Sequence, residues 1–326
     1  MDVAKKLKIQ RNISLLKRFP ETQDHSCLAK INAQWIVFGE YLPPEYFDAI
    51  ETFTGELHAV LDAWKVGRYE VALMSGSLSP ELMEFVHGMH LDCASINVLP
   101  ELHKPGLIVM DMDSTAIQIE CIDEIAKLAG VGEKVSAITE RAMQGELDFE
   151  ASLRERVGAL AGADESILEQ VRSDLPFMPE LEELVNTLTL LGWKTAIASG
   201  GFTYFSDHLK SVLGLDHAQS NTLEIIDGKL TGKVLGDIVS AQTKADILVS
   251  LADEYDVEQH NTIAVGDGAN DLVMMAAAGL GVAYHAKPKV EQQAQTVVRY
   301  AGLGGVVCIL SAALIKQKRV SWKAIP

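Results

Sequence analysis

The stretch Gly106-Leu-Ile-Val-Met-Asp-Met-Asp-Ser-Thr115 decides the fold of this chain. Four apolar residues, Leu107 to Met110, follow a Pro-Gly break and lead directly into two aspartates, Asp111 and Asp113. This pattern is typical of a strand that is buried on both faces and ends at a polar site. In an open α/β sheet the ligand crevice lies beyond the carboxyl ends of the strands. The stretch therefore predicts that the chemistry takes place at these two aspartates.

The same Asp-x-Asp-Ser pattern has a simpler interpretation as a loop that opens a helix, because Asp and Ser are among the commonest helix-capping residues. The charge of the two carboxylates argues against that interpretation. Carboxylates this close repel one another unless a cation or a shared proton relieves the repulsion. A bound metal ion is the simplest solution, so Asp111 and Asp113 are candidates for both metal binding and catalysis.

Composition and charge favour an enzyme that acts on small molecules. A chain of 326 residues favours about two domains, and 48% hydrophobic residues are enough for a sizeable core. The formal net charge of −17 argues against nucleic acid or an anionic membrane as the main partner. The four cysteines are far apart and include no CxxC pair, which predicts neither a zinc site nor a disulfide framework. A reducing compartment is therefore expected.

No segment has the composition of a membrane anchor. The longest uncharged run, residues 301–315, falls short of the ~20 apolar residues of a spanning helix and predicts a buried C-terminal helix instead. The N-terminus is basic, but charges interrupt it throughout and no apolar signal-peptide core follows. The cytoplasm is the expected location.

The first predicted unit, residues 1–100, is a small α/β layer. Its segments predict strand, helix, strand, helix and strand, over residues 35–38, 45–64, 69–74, 80–89 and 94–99. Its histidines, at positions 58, 87 and 90, are scattered and form no catalytic cluster. A packing or dimerisation module is the preferred interpretation, and residues 100–106 are the expected linker.

The second predicted unit, residues 104–326, alternates strands and helices around one helical insertion. A helix after Glu120 is expected to stop at Gly130, and residues 133–177 predict mostly helices that can cover the site as a lid. From Pro179, placed in the first turn of a helix, the alternation resumes. Asp227-Gly228 predicts a two-residue hairpin turn at one edge of the sheet.

Three of the predicted strands end in polar clusters. Each cluster alone is more often a simple turn. The clusters are Asp111 with Asp113, Ser199-Gly200, and Asp267 with Asn270 and Asp271. Lys244 lies on a predicted helix between the last two. Acidic groups, a hydroxyl, backbone amides and a lysine at one sheet edge suit a phosphate and a divalent cation.

These residue types indicate phosphoryl transfer. A carboxylate can attack phosphorus to give an acyl phosphate, which divides a difficult hydrolysis into two easier steps, and Asp111 is the candidate nucleophile. Asp113 can protonate the leaving oxygen and then accept a proton from water. Mg²⁺ would neutralise the approach of an anionic phosphate to an anionic nucleophile. Ser199, the Gly200 amide and Lys244 would hold the transferring oxygens.

As a set, the clusters resemble the four motifs of the haloacid dehalogenase superfamily, in the same order. The motifs are Asp-x-Asp-Ser-Thr at 111–115, Ser-Gly-Gly at 199–201, Lys244, and Gly-Asp-Gly-x-Asn-Asp at 266–271. Ile-Glu-Cys-Ile-Asp-Glu-Ile-Ala at 119–126 and Ala-Met-Gln-Gly-Glu-Leu-Asp-Phe at 142–149 resemble the phosphoserine phosphatase family more narrowly. The resemblance covers about residues 104–310. It implies an α/β fold with a Rossmannoid parallel sheet and a helical cap at about 130–178.

The resemblance also implies a role for each motif residue in hydrolysing O-phospho-L-serine, the last step of serine biosynthesis. Asp111 would be the nucleophile and a metal ligand, and Asp113 the acid/base whose backbone carbonyl also faces Mg²⁺. The remaining implied roles are Asp267 as third metal ligand, Asp271 as its support, Glu120 and Arg156 as readers of the amino and carboxylate groups, Ser199, Gly200 and Lys244 as phosphate holders, Asn270 as a substrate contact, and Phe149 as a cap residue over the ligand.

Several alternatives stay open at this point. A phosphotransferase that passes the phosphoryl group to another alcohol would use the same residues. A regulatory protein without catalysis would be expected to lack Asp111 or Asp113, and both are present. A P-type ATPase would need spanning helices. Relatives of this family carry an N-terminal sensing domain of ferredoxin-like, or ACT-like, topology, so residues 1–100 could be an amino-acid sensor or a unit that forms a homodimer.

Overall fold

Two β-sheets organise the residues that the structure, a computed structural model, describes, which are 9–18 and 27–316. The smaller sheet is N-terminal and antiparallel, and the larger one is almost entirely parallel. The strands of the N-terminal sheet are β1 (Gln10–Arg11), β2 (Trp35–Gly39), β3 (Val60–Val66), β4 (Tyr69–Met74) and β5 (Asp92–Ser95). The helices of this part are α1 (Ile13–Arg18), α2 (Cys27–Asn32), α3 (Pro44–Thr54) and α4 (Pro80–Gly88).

The N-terminal sheet has the strand order β1-β3-β4-β2-β5. From β2 to β5 the chain runs strand, helix, strand, strand, helix, strand, and all neighbouring strands are antiparallel. This order and connectivity confirm the ferredoxin-like topology. Strand β1 adds to the outer side of β3.

The prediction of a single helix over residues 45–64 is wrong. Helix α3 ends at Thr54, where Gly55 closes it with φ of 69°, and β3 follows. All but one of the β3 residues are buried, so the segment shows no clear alternation that would separate a strand from a buried helix. Pairing with β4 decides its structure. The last strand also differs, because β5 begins at Asp92 and ends at Ser95 rather than spanning residues 94–99.

The larger sheet carries the strand that opens at Leu107. Its strands are β6 (Leu107–Met110), β7 (Lys194–Phe202), β8 (His217–Ile226), β9 (Lys229–Leu235), β10 (Thr262–Gly266), β11 (Leu280–Tyr284) and β12 (Thr296–Val298), in the order β12-β11-β10-β6-β7-β8-β9. Every pair is parallel except β8 with β9, which confirms the predicted sheet. The predicted edge hairpin is also confirmed, with φ of 51° at Asp227 and 71° at Gly228.

Helices surround this sheet and form the insertion after β6. The covering helices are α5 (Cys121–Leu128), α9 (Leu181–Leu191), α10 (Thr203–Leu213), α11 (Ala241–Glu254), α12 (Leu272–Ala277), α13 (Pro288–Glu291) and α14 (Gly304–Lys316). The insertion consists of α6 (Gly132–Met143), α7 (Phe149–Ala159) and α8 (Ser166–Ser173), as predicted. We call α6 to α8 the cap. One expectation is wrong, because α9 begins at Leu181 and Pro179 therefore precedes its first turn.

The C-terminal helix connects the two sheets. Helix α14 is buried, as residues 301–315 predicted, and it packs on the N-terminal sheet, where Trp64 Nε1 donates to Ser311 Oγ over 2.8 Å. One hydrophobic core cluster therefore contains side chains from both sheets. Cys93, Cys121 and Cys308 are buried free thiols. Within residues 9–18 and 27–316, no helix combines the length and apolarity needed to cross a membrane.

Candidate active site

Three neighbouring parallel strands bring the predicted polar clusters to one edge of the larger sheet. Asp111 follows β6, Asp267 follows β10, and Ser199 lies within β7, which runs on to Phe202 and so is longer than the predicted strand. Because β10, β6 and β7 are adjacent and parallel, their carboxyl ends meet. The Asp111 amide donates to the Val265 carbonyl over 2.9 Å, which fixes the start of the loop that carries Asp111 and Asp113.

Lys244 lies between two of the aspartates. It extends from α11 and is completely buried, with Nζ 2.9 Å from Asp111 Oδ1 and 2.7 Å from Asp271 Oδ1. Burial by itself would lower the pKa of Lys244, but the carboxylates of Asp111 and Asp271 overcome this effect and raise it above its usual value. The ammonium is therefore charged, and its positive charge is adjacent to the predicted nucleophile.

The carboxylates of Asp111, Asp267 and Asp271 form one cluster, which we call the acidic cluster. One oxygen of each lies within 4.8 Å of the others. Burial and then the charge of Asp111 raise the pKa of Asp267 to about 7 and that of Asp271 to about 6. Three carboxylates this close need more positive charge than one lysine supplies, and carboxylate oxygens are what hard divalent cations prefer. The structure thus brings Asp271 into the cluster beside Asp111 and Asp267, the two predicted ligands that would bind through their carboxylates.

Asp113 and Glu120 face the same space from the other side of the loop. Asp113 Oδ1 accepts from the Cys121 amide over 3.2 Å, and Glu120 Oε1 accepts from Ser114 Oγ over 2.7 Å. Burial, followed by the charges of Glu120 and Asp111, raises the pKa of Asp113 to about 8. Burial also raises the pKa of Glu120. The raised pKa favours the protonated carboxyl that a general acid needs.

The cap contributes Phe149 and Arg156 from helix α7. A Cβ placed on Gly200 would lie 2.7 Å from Phe149 Cζ, so the ring closes over the Ser-Gly-Gly segment. Arg156 Nε is buried and has no hydrogen-bond partner among the described residues. Burial lowers the pKa of Arg156, while the carboxylates of Asp123 and Glu120 oppose that shift. A half-buried guanidinium with an unpaired Nε can bind an anionic ligand.

The neighbouring charges of α7 behave differently. Arg154 is exposed and makes two hydrogen bonds to Glu150 Oε1, at 2.9 and 2.8 Å. Glu155 is exposed and pairs with Arg141 at 2.9 Å. Arg154 and Glu155 are therefore exposed to solvent, whereas Arg156 points towards the site.

Two supporting residues were not predicted from the sequence. Asn221 donates from Nδ2 to the Gly200 carbonyl over 2.8 Å and accepts the Val239 amide at Oδ1 over 2.9 Å, which holds the Ser-Gly-Gly segment in place. Thr115 is the second supporting residue, because its Oγ1 donates to Asp267 Oδ1 over 3.2 Å and so orients that carboxylate. Thr115 lies in the Asp-x-Asp-Ser-Thr motif, so its role near the site could have been predicted from the sequence. No sequence pattern identifies Asn221. Ser199 Oγ accepts the Gly201 amide over 3.0 Å, and Asn270 is half-buried beside Gly268.

Comparison with known proteins agrees with this geometry. The model of the haloacid dehalogenase-like hydrolase family matches residues 105–279. A phosphoserine phosphatase of Vibrio cholerae is 68% identical over the whole chain and 99% of its own length. The chain belongs to the phosphoserine phosphatase family of haloacid dehalogenase-like hydrolases. A phosphoserine phosphatase of Haemophilus influenzae is 56% identical over 85% of this chain and 88% of its own.

Solved structures place this phosphoserine phosphatase family member in the same fold. An unliganded probable phosphoserine phosphatase from Vibrio cholerae has a TM-score of 0.90 at 68% identity, covering 99% of this chain and all of its own. A phospho-aspartyl intermediate analogue of a phosphoserine phosphatase has a TM-score of 0.60 at 40% identity, covering 63% of this chain and 98% of its own. A model for a domain of unknown function matches residues 32–95. Family and fold are thus confirmed as predicted.

Proposed function

We propose that the protein hydrolyses O-phospho-L-serine to L-serine and phosphate through a phosphorylated Asp111. The observation that carries the proposal is a half-buried Arg156 on the cap, whose buried Nε has no hydrogen-bond partner among the described residues and whose charge interacts with Glu120 and Asp113, beside the Asp111 that Lys244 contacts. The relatives named as phosphoserine phosphatases and the related phospho-aspartyl analogue support it.

Asp111 makes the first bond of the reaction in this scheme. Among the described residues, its Oδ1 accepts from the Met112 amide over 2.7 Å and from Lys244 over 2.9 Å. We assign the attack on phosphorus to Oδ2. The bond from phosphorus to the serine oxygen breaks as the acyl phosphate forms, which is covalent catalysis by a carboxylate.

Asp113 moves the protons in both steps. Its raised pKa favours the protonated form, from which it donates its proton to the serine oxygen as that oxygen leaves. It then accepts a proton from the water that attacks the phosphorus of the acyl phosphate. Phosphate leaves, and Asp111 is regenerated as a carboxylate.

The acidic cluster fits a divalent cation, and we propose Mg²⁺. Asp111, Asp267 and the backbone carbonyl of Asp113 would hold it, with Asp271 as support. When bound, the ion supplies charge neutralisation between the anionic phosphate and the anionic nucleophile. The clustering of three carboxylate oxygens within 4.8 Å supports this assignment.

We assign recognition of the substrate to residues at the sheet edge and to residues on and next to the cap. Ser199, the Gly200 amide and Lys244 hold the phosphate, and Asn270 contacts the substrate. On the other side, Arg156 can hold the serine carboxylate through two parallel hydrogen bonds. Glu120 meets the ammonium, and the Phe149 ring covers the ligand.

The proposed reaction is tested by phosphate release from a panel of phosphomonoesters with Mg²⁺ present or chelated. Preference for phosphoserine in the presence of Mg²⁺ is expected. Transfer of the phosphoryl group to an added alcohol in place of water would instead identify a phosphotransferase, which uses the same residues.

We also infer two structural units, residues 1–100 and 104–326, with the cap at about 130–178. The separate family models at 32–95 and 105–279 support this division. Helix α14 belongs to the second unit by sequence although it packs on the first sheet.

Replacing Asp267 with alanine tests the metal assignment. We expect the Mg²⁺ concentration for half-maximal activity to rise by at least ~10 to 100-fold, the range seen when residues supporting a metal site are lost. Ca²⁺ should inhibit the wild type, because it accepts more ligands in a looser geometry than Mg²⁺. Asp237→Ala, at an exposed position, is the matched control. Full wild-type activity in excess chelator would contradict the assignment.

Replacing Arg156 with alanine tests recognition of the carboxylate. Truncating one partner of a buried charge pair costs ~2 to 5 kcal/mol, so kcat/KM for phosphoserine should fall at least ~30-fold. Phosphoethanolamine lacks the carboxylate, so it should be a poor substrate for the wild type and little affected by the substitution. Arg154→Ala, which removes an exposed guanidinium two residues away, should leave both substrates unchanged. Equal losses on the two substrates would mean that Arg156 supports the cap rather than binding the carboxylate.

A further inference from the structure

The chain enters and leaves the segment made of α5 and the cap through a short two-stranded ribbon, which we call the hinge ribbon. The outgoing strand is residues 116–118 and the returning strand is residues 176–178. The Gln118 amide donates to the Pro176 carbonyl and the Met178 amide donates to the Ala116 carbonyl, both over 2.9 Å. Ile117 and Phe177 form an antiparallel bridge between them. The ribbon is the covalent base of this segment, and at its far end the Gly162 amide donates to the Leu230 carbonyl of the β8–β9 hairpin over 2.8 Å.

Glu180 follows the hinge ribbon directly and has an unusual backbone. Its φ of 66° and ψ of 17° lie in the left-handed region, which a residue with a Cβ adopts rarely and only when its surroundings hold it there. Its carbonyl accepts the Leu184 amide over 3.0 Å at the start of α9. Just before it, the Pro179 carbonyl accepts the Leu303 amide over 3.0 Å. The chain is thus anchored where the cap ends.

The Glu180 side chain reaches the N-terminal sheet. Its carboxylate accepts from the Tyr69 hydroxyl over 2.9 Å, from Arg68 Nε over 2.6 Å and from the Gly304 amide over 3.0 Å. Burial raises the pKa of Tyr69 to about 12, so its hydroxyl remains a donor. The same hydroxyl accepts the Gly302 amide over 2.9 Å. Three donors from two distant parts of the chain therefore converge on one carboxylate.

Close approach at this point depends on glycine. A Cβ on Gly302 would lie 2.8 Å from Glu180 Oε2 and 2.9 Å from the Pro179 carbonyl. A Cβ on Gly304 would also overlap the Glu180 carboxylate. The glycines before and at the start of α14 thus leave room for the Glu180 side chain. Capping of α14 by Glu180 would not by itself require glycine at both positions.

We propose that Glu180 is a positioning residue that couples the N-terminal sheet to the hinge ribbon and so sets how the cap presents Arg156 to the substrate. The inference rests on the phosphatase function proposed above. Tyr69 and Arg68 hold Glu180 in its left-handed conformation, and that conformation fixes the direction in which residues 176–178 leave the core. The catalytic groups on the core strands do not depend on this contact.

Two variants test the coupling from its two ends. Glu180→Ala removes the carboxylate, and Tyr69→Phe removes one hydroxyl in the N-terminal sheet while leaving the hinge sequence intact. Glu182→Ala, exposed in the first turn of α9, and Tyr255→Phe, directly after α11, are the matched controls. Hydrogen exchange of the full-length protein is followed by mass spectrometry in peptides covering 116–120 and 176–180, with a peptide covering β7 as internal reference.

Exchange in the two hinge peptides should be at least ~5-fold faster in both variants than in their controls, because the hinge ribbon opens locally more often. Exchange in the β7 peptide should be unchanged, because local opening does not require global unfolding. KM for phosphoserine should rise at least ~5-fold with kcat changed less than ~2-fold, since a less populated closed cap lowers apparent affinity. Acetyl phosphate, which offers Arg156 no carboxylate, should show unchanged kinetics.

Unchanged exchange in the hinge peptides of both variants would overturn the proposal. So would equal losses on phosphoserine and acetyl phosphate that follow a lower melting temperature, because these would indicate a purely structural contact. The exchange measurement requires no turnover. If the wild type failed to hydrolyse phosphoserine, the proposed function would be wrong. The exchange rates of the hinge peptides would still show whether Glu180 couples the N-terminal sheet to the hinge ribbon.

Discussion

Asp111→Asn is expected to abolish turnover while leaving the fold intact. Loss of a covalent nucleophile can cost on the order of 10⁶-fold in kcat. The fold should survive because an asparagine oxygen can still accept from the Met112 amide and from Lys244, the two hydrogen bonds that Asp111 Oδ1 makes. Asp253→Asn, an exposed carboxylate on α11, is the matched control for the change of charge.

The position of the phosphoryl group tests the same prediction directly. Mass spectrometry of an acid-quenched reaction should find the phosphate on the peptide that contains Asp111. Beryllofluoride, which mimics an aspartyl phosphate, should bind the wild type and not the variant. Phosphate on a different residue, or turnover by Asp111→Asn close to that of the wild type, would show that another group attacks phosphorus.

Asp113→Asn is expected to slow the steps that need proton transfer, by ~10²- to 10⁴-fold. The substitution keeps an oxygen that can accept from the Cys121 amide, so the loop should keep its shape. Only the transferable proton is lost. The raised pKa of Asp113, caused first by burial, is what would make this proton available in the wild type.

An activated aryl phosphate separates the two steps. Its phenolate leaves without protonation, so Asp113→Asn should release about one phenolate per enzyme rapidly and then turn over slowly, because the water step still needs a base. Phosphoserine should give no such burst with the variant. A variant that loses both steps equally on the aryl phosphate would place Asp113 in binding or loop structure rather than in proton transfer.

Local sequence determined which strand ends form the candidate active site. Apolar runs that end in Asp, Ser-Gly or Gly-Asp-Gly predict buried parallel strands, and parallel strands have their carboxyl ends at one edge. Asp111, Ser199 and Asp267 could therefore be assigned to one site before any distance was known. The hairpin at Asp227-Gly228 was equally local, because its two residues are those that tolerate positive φ.

Tertiary structure alone decided the features that depend on distant parts of the chain. Most of strand β3 was predicted as helix because an almost fully buried run shows neither period, and its pairing with β4 defines it as a strand. Arg156 differs from Arg154 in burial and not in local pattern. Asn221 and Glu180 find their partners far away in sequence, at Gly200 and Tyr69. Composition and spacing carry no information about such contacts, because they arise only when separate elements pack together.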